Sequence, residues 1–303
     1  MPIITANGID IAYETSGNPD GPPVLLIMGL GMQLVSWPAE FVQGLEREGC
    51  FVIRFDNRDS GLSTKFDLAG VPNLPLSYVK SLVGWPLRSA YMLSDMAADA
   101  HGLLDALRIG RAHVVGVSMG GMIAQIFAAR YPDRTSSLTS IMSSSGRRGL
   151  PGPTRAARRA LMQPAPAGAQ RDRLIEHMAQ TFRVIGSPGF PMPEKMLRDR
   201  IAMSIERSLC PGGVARQLVA IAASGDRSPL LRQIVRPSLV IHGAADPLVP
   251  VACGIDTAKG IAGAVLHVID GMGHDLPPQL IPRFLALLKP FLFSKIVPHA
   301  VAG

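Results

Sequence analysis

Apolar residues recur along the chain with two distinct periods. Ile3–Ala6 and Ile9–Glu14 flank Asn7-Gly8, a dipeptide that tolerates positive φ and so suits a two-residue hairpin turn. Short apolar runs follow at Val24–Met28, Cys50–Phe55, His113–Val117, Leu138–Met142, Ser238–His242 and Ala264–Ile269. Runs this short read as strands buried on both faces. Helical spacing fills the intervals. It predicts helices over 37–48, from a Ser94 cap to about Leu107, over Ser118–Tyr131 ending before Pro132, over 250–260 and over Pro278–Phe293. In the second of these, Met96, Ala100, Leu103, Leu104 and Leu107 share one face. Residues 66–93 are broken by proline and predict no clear element. Strands alternating with helices imply an α/β fold built on a mostly parallel sheet covered on both faces.

From about residue 147 the strand pattern stops. Arg-rich amphipathic segments alternate with Pro/Gly breaks at 150–153, 164–168, 186–193 and 211–213. The strand–helix pattern returns beyond residue 229. The expected organisation is a core domain of residues 1–146 and 229–303, with a helical cap of residues 147–228 inserted after about the sixth strand. Such an insertion lies over the carboxyl ends of the strands, where open α/β sheets bind ligands.

Composition narrows the class. The chain has 303 residues, 47% hydrophobic and 17% charged, which supplies a large core and excludes intrinsic disorder. Its 31 glycines and 26 prolines are dispersed, without a collagen period. No apolar stretch reaches the ~20 residues needed to cross a bilayer. The N-terminal stretch has no basic region followed by an apolar one, so no secretory signal is expected. Three separated cysteines, Cys50, Cys210 and Cys253, read as reduced thiols of a cytoplasmic protein. The net charge is +7, but residues 147–232 hold 15 Lys/Arg and 6 Asp/Glu. The remaining chain is slightly acidic. A basic excess confined to one helical segment, with 5% aromatic residues, argues against a nucleic-acid partner. It fits a solvated helix face or a rim that attracts anionic substrates.

The candidate chemistry centres on Gly116-Val117-Ser118-Met119-Gly120, a G-x-S-x-G run between a predicted strand and a predicted helix. A serine on such a sharp turn needs neighbours without Cβ atoms two residues to either side. The turn projects Oγ above the sheet and sets a helix N-terminus, with free N–H groups, beneath it. A serine hydroxyl also needs a base, and the base an orienting acid. Asp246, in Gly243-Ala244-Ala245-Asp246-Pro247, and His274, in Gly271-Met272-Gly273-His274, follow later strands in the order Ser, Asp, His. His242 reads as a buried structural histidine. Asp270 ends its strand and Asp275 starts the next helix. Ser143, Ser144 and Ser145 follow another strand as candidate pocket residues. The Gly-rich loop Met28-Gly29-Leu30-Gly31-Met32 is the expected source of a second oxyanion donor, with the Leu30 amide pairing with that of Met119. Asp56 and Arg58, in Asp56–Ser63, read as scaffold. No metal cluster and no G-x-G-x-x-G phosphate loop is evident, so neither metal nor cofactor is expected.

These residues resemble the α/β-hydrolase superfamily over nearly the whole chain. The resemblance is carried by the N-terminal hairpin, the MGLG loop, FDNRDSGLS, GVSMGG, HGAADPLVP and GMGHDLP. It implies an eight-stranded sheet with a helical cap, Ser118 as nucleophile, Asp246 as acid, His274 as base, and the Leu30 and Met119 amides as the oxyanion hole. Many relatives begin the oxyanion loop with His-Gly, whereas this chain has Met28-Gly29. MGLG followed by Ser36-Trp37-Pro38, with GVSMG and GMGH, looks most like the branch containing aclacinomycin-type methylesterases. That implies serine-dependent hydrolysis of a small-molecule carboxylic ester. Perhydrolase, lactonase, amidase and C–C hydrolase chemistry fit the same constellation, and a non-catalytic binding protein is the different-class alternative. A dehalogenase of this fold would need Asp at 118.

Overall fold

Alternating side chains along each central strand build two apolar layers. On β3 (Pro23–Ile27), Val24 and Leu26 face one side while Leu25 and Ile27 face the other. On β5 (Ala112–Val117), Val114 faces the second side and Val115 and Val117 the first. The computed structural model describes residues 1–82, 84–163 and 170–293.

Eight strands form one sheet in the order β1-β2-β4-β3-β5-β6-β7-β8. The others are β1 (Ile3–Ala6), β2 (Ile9–Gly17), β4 (Phe51–Phe55), β6 (Thr135–Ile141), β7 (Ser238–Gly243) and β8 (Val265–Ile269). The hairpin β1/β2 and the pair β2/β4 are antiparallel, and all later pairs are parallel. The Asn7-Gly8 turn holds both residues at positive φ, the geometry this dipeptide suits.

The helices are α1 (Ala39–Arg47), α2 (Leu74–Leu82), α3 (Leu93–Ala106), α4 (Met119–Arg130), α5 (Arg155–Met162), α6 (Arg171–Ile185), α7 (Glu194–Arg207), α8 (Pro211–Ser224), α9 (Ser228–Leu231), α10 (Val251–Gly260) and α11 (Ile281–Phe293). Leu93, Met96, Leu103, Ile123 and Phe127 of α3 and α4 fill one layer. Phe41 and Leu45 of α1 join Phe284 and Leu288 of α11 in the other. Among the described residues, five helices, α5 to α9, lie between β6 and β7. Within them α6 and α7 share a separate apolar cluster of Ile175, Ala179, Leu197 and Ile201. Among the described residues no helix is long and apolar enough to cross a membrane.

Three local expectations change. The segment 66–93 contains a helix, α2, because Pro75 sits in its first turn, where a missing N–H costs nothing. The same rule turns the expected break at 211–213 into the start of α8, with Pro211 at its first position. Helix α3 begins two residues early, with Met92 rather than Ser94 at the cap position. Asp95 does the capping, its Oδ2 accepting the N–H of Met92 at 2.7 Å. The expected break at 164–168 lies outside the described residues, as do 294–303 of the expected core domain.

Candidate active site

The turn between β5 and α4 places Ser118 at φ +53° and ψ −119°. An L-residue adopts such angles only where its surroundings enforce them. The enforcement is steric. A Cβ at position 116 would lie 2.1 Å from the Gly120 oxygen, and one at position 120 would lie 2.0 Å from the Ile27 oxygen. Two glycines therefore allow β5, α4 and the loop after β3 to approach, and Ser118 absorbs the turn.

The sequence-predicted residues converge here. Ser118 Oγ lies 2.9 Å from His274 Nε2. His274 Nδ1 lies 2.7 Å from Asp246 Oδ2. The carboxylate is itself fixed, with Oδ1 accepting the N–H groups of Leu248 at 2.9 Å and Val249 at 2.8 Å. Both Asp246 and His274 are buried. Asp246 follows β7 and His274 follows β8, and Ala245 N donates to Met272 O at 3.0 Å, lacing the two loops together. With Asp246 accepting from Nδ1–H, Nε2 is the free acceptor for the serine proton.

The loop after β3 lies against the serine. The α-carbon of Gly29 faces Ser118 so closely that a Cβ there would lie 3.3 Å from the Ser118 Cβ. Among the described residues, no acceptor takes the N–H of Leu30 or of Met119. Two unspent amides therefore flank Ser118. The Met28 carbonyl accepts Asn57 Nδ2 at 2.9 Å, and its side chain is buried in the apolar layer that holds Trp37 and Met272.

The other candidates sort by their contacts. His242 is fully buried, with Nε2 2.7 Å from Val249 O and 3.6 Å from Asp246 Oδ2. Burial lowers its pKa against the opposing pull of Val249 O and Asp246. It braces the loop of the acid, as a structural histidine. Ser143 Oγ donates to Ser118 O at 2.8 Å, and so supports the turn. Ser145 bonds Asp256 at 2.5 Å, and Ser144 Oγ accepts Gly146 N at 3.0 Å. Asp275 starts no helix, because the next helical turn begins at Pro278. Its carboxylate accepts from Ser187 Oγ. Burial raises the Asp275 pKa, with the Ser187 bonds opposing. Asp56 accepts Leu34 N at 2.7 Å and Leu62 N at 2.8 Å, and Arg58 forks onto buried Asp99 at 2.6 and 2.7 Å, both as scaffold.

Several supporting residues have no signature in the sequence. Gln217 of α8 is fully buried. Its Oε1 accepts the N–H of Gly31 at 2.8 Å, and its Nε2 donates to Arg58 O at 2.8 Å and Ser60 Oγ at 3.0 Å. Arg216, its neighbour, forks onto Asp59 at 2.8 and 2.7 Å, and Tyr91 Oη adds a bond at 2.6 Å. Burial pushes the Asp59 carboxyl up, but these partners outweigh it and hold it below the usual range. Ile185 O, at the end of α6, accepts His274 N at 2.7 Å, and Ser187 Oγ, just beyond that helix, accepts Gly273 N at 2.8 Å. Only these contacts, 32 to 186 residues apart in the chain, give such residues meaning.

Sheet order, strained serine and relay together define a hydrolase of the α/β type. The profile for the alpha/beta hydrolase fold matches residues 22–278, and the chain belongs to that family. Rhodomycin D methylesterase DauP from Streptomyces sp. (strain C5) is 29% identical over 293 residues, spanning 91% of this chain and 92% of that protein. The 2-hydroxy-6-oxononadienedioate/2-hydroxy-6-oxononatrienedioate hydrolase of Paraburkholderia phymatum (strain DSM 17167 / CIP 108236 / LMG 21445 / STM815) is 30% identical over 217 residues, 69% of this chain and 73% of that one. Among solved structures, the enol-lactonase from Burkholderia xenovorans LB400 superposes with a TM-score of 0.70 at 24% identity, covering 96% of this chain and 99% of that one.

Proposed function

We propose that this hydrolase cleaves small-molecule carboxylic esters through an acyl-enzyme on Ser118, with His274 as base, Asp246 as its orienting acid and the Leu30 and Met119 amides as the oxyanion hole. The observation that carries this reading is the continuous relay Ser118 Oγ–His274 Nε2, His274 Nδ1–Asp246 Oδ2, at 2.9 and 2.7 Å. Ser118 Oγ attacks the ester carbonyl carbon as its proton passes to Nε2. The carbonyl oxygen becomes an oxyanion held by the two unspent amides, each such donor contributing about 3–4 kcal/mol. Collapse breaks the C–O bond to the alcohol, which leaves with the proton from Nε2. Water then gives a proton to Nε2 and attacks the acyl carbon, releasing the acid and restoring Ser118. Asp246 stays ionised and stabilises the imidazolium. No step draws on a metal or cofactor.

An ester is favoured over the other chemistries by DauP, whose name describes methyl ester hydrolysis and whose likeness runs over nearly the full chain. A lactone is a cyclic ester and would follow the same steps. Helices α5 to α8 serve as a cap, residues 147–228, over the core of residues 1–146 and 229–303. Their bonds to the loops of Gly31, Pro247 and His274 support that reading. The test is initial rates on a series of p-nitrophenyl esters and aryl methyl esters with wild type and Ser118→Ala. Wild-type turnover that falls at least ~10³-fold in the variant is expected. Equal rates in both would refute the assignment.

A further inference from the structure

One face of the molecule has no part in the relay. Residues 68–94 contain no Asp or Glu, and neither do residues 146–171. The fold joins these two stretches. Arg158 Nη1 donates to Tyr78 Oη at 3.1 Å, and the Arg148 guanidinium stands against Gly84, where a Cβ would lie 3.1 Å from Nη2. Arg147 and Arg171 are paired with Asp256 and Glu206. Among the described residues, no carboxylate pairs with Lys80, Arg88, Arg148, Arg155, Arg158 or Arg159. The same two stretches carry exposed apolar side chains: Val71, Leu76 and Val79 in and before α2, Trp85 beyond it, and Met162 at the end of α5. Trp85 is 65% exposed, against 2% for Trp37.

We propose that this face docks the protein peripherally on an anionic lipid surface. Exposed Leu, Val and Trp side chains flanked by Lys and Arg are the composition of interfacial anchors. The apolar groups enter the boundary between headgroups and acyl chains while the cations stay with the phosphates. Long basic stems lying along apolar surface add to the buried area. Both halves of the pattern are needed: cations alone would suit a nucleic acid, and apolar groups alone a protein partner. A second copy docking through the same patch would bring like charges together, because a two-fold interface pairs each patch with itself. The segment is tied to the proposed cap, with Arg216 Nη1 donating to Gly70 O at 3.0 Å. Docking would present the enzyme to esters that partition into a bilayer.

The measurement is binding of the full chain to phosphatidylcholine vesicles with and without phosphatidylglycerol, by co-sedimentation and tryptophan emission. The chain has two tryptophans and only Trp85 is exposed, so an emission shift reports on this patch. We expect binding to the anionic vesicles, a shift to shorter wavelength, and release by salt. Lys80→Glu combined with Arg148→Glu and Arg158→Glu should lower partitioning at least tenfold, since each cation near such a surface contributes about fivefold. The rate on a soluble ester should be unchanged, which also verifies folding. Trp85→Phe should abolish the emission shift and keep the binding. The proposal is overturned by failure of wild type to bind anionic vesicles, or by equal binding to neutral ones. It is also overturned by a Trp85 shift that follows protein concentration without vesicles, in step with dimer mass, which would assign the patch to a second copy.

Discussion

At the scale of single residues, the proposed chemistry rests on a serine held at angles its neighbours enforce. Gly116→Ala and Gly120→Ala each place a Cβ about 2 Å from a backbone oxygen. Each should lower stability by about 1–3 kcal/mol or more, as overpacking does, and remove activity with it. Thermal melts beside ester turnover check this, and a fully active Gly120→Ala would show that the turn is not so constrained. Asp246→Asn tests the tautomer. An amide in that place no longer requires Nδ1–H, and kcat should fall by up to ~10⁴ with little change in melting temperature. A fall below tenfold would remove Asp246 from the proposed relay. These residues were legible in the sequence because each proposed role needs local company: glycines beside the serine, and short Gly-rich loops after strands for the proposed acid and base.

At the scale of elements, the sequence was informative where periodicity is strict and weaker where a proline has two meanings. All eight strands fall on the short apolar runs and the N-terminal hairpin. Pro75 and Pro211 read as breaks but stand in first turns. The contacts of the helices with the loops were not legible, because Gln217 meets Gly31 across 186 residues. Those contacts predict kinetics. Gln217→Leu leaves the Gly31 N–H and Arg58 carbonyl unpaired and frees the oxyanion loop. We expect kcat to drop up to about 10²-fold with KM nearly constant, the signature of misplaced transition-state donors. A change confined to KM would place Gln217 in substrate binding instead. A second element-scale prediction concerns β5 and β6. His113 Nδ1 lies 2.8 Å from Ser137 Oγ, and burial lowers the pKa of His113 to about 4 from 6.5. Between those values the unfolded chain binds a proton that the folded chain refuses. Stability is therefore full above pH 6.5 and falls as pH drops toward 4, by about 3 kcal/mol in total. Urea unfolding across this range should show the decline, and His113→Asn should flatten it.

At the scale of the whole molecule, three separate regions act on one centre. The strand-end loops carry the proposed reacting groups Ser118, Asp246 and His274. Helices α6 and α8 clamp the loops of His274 and Gly31, and Thr154 N reaches Pro247 O at 2.8 Å beside the acid. The basic excess of residues 147–232 was legible as charge, but its meaning depends on which cations find partners in three dimensions. Glu176 shows the contrast: hydrogen bonds from Arg183 and Arg198 pull its pKa down to about 2. That part of the basic segment is internally paired, while Arg148, Arg155, Arg158 and Arg159 are left to the outer face. All of the proposed chemistry turns on Ser118 as the nucleophile of an ester hydrolase. Its most direct test is reaction with a fluorophosphonate followed by peptide mapping, in wild type, Ser118→Ala and His274→Ala. One adduct is expected, on Ser118, formed in wild type, absent from Ser118→Ala and strongly slowed in His274→Ala. An adduct on another serine, or ester turnover retained by Ser118→Ala, would contradict it.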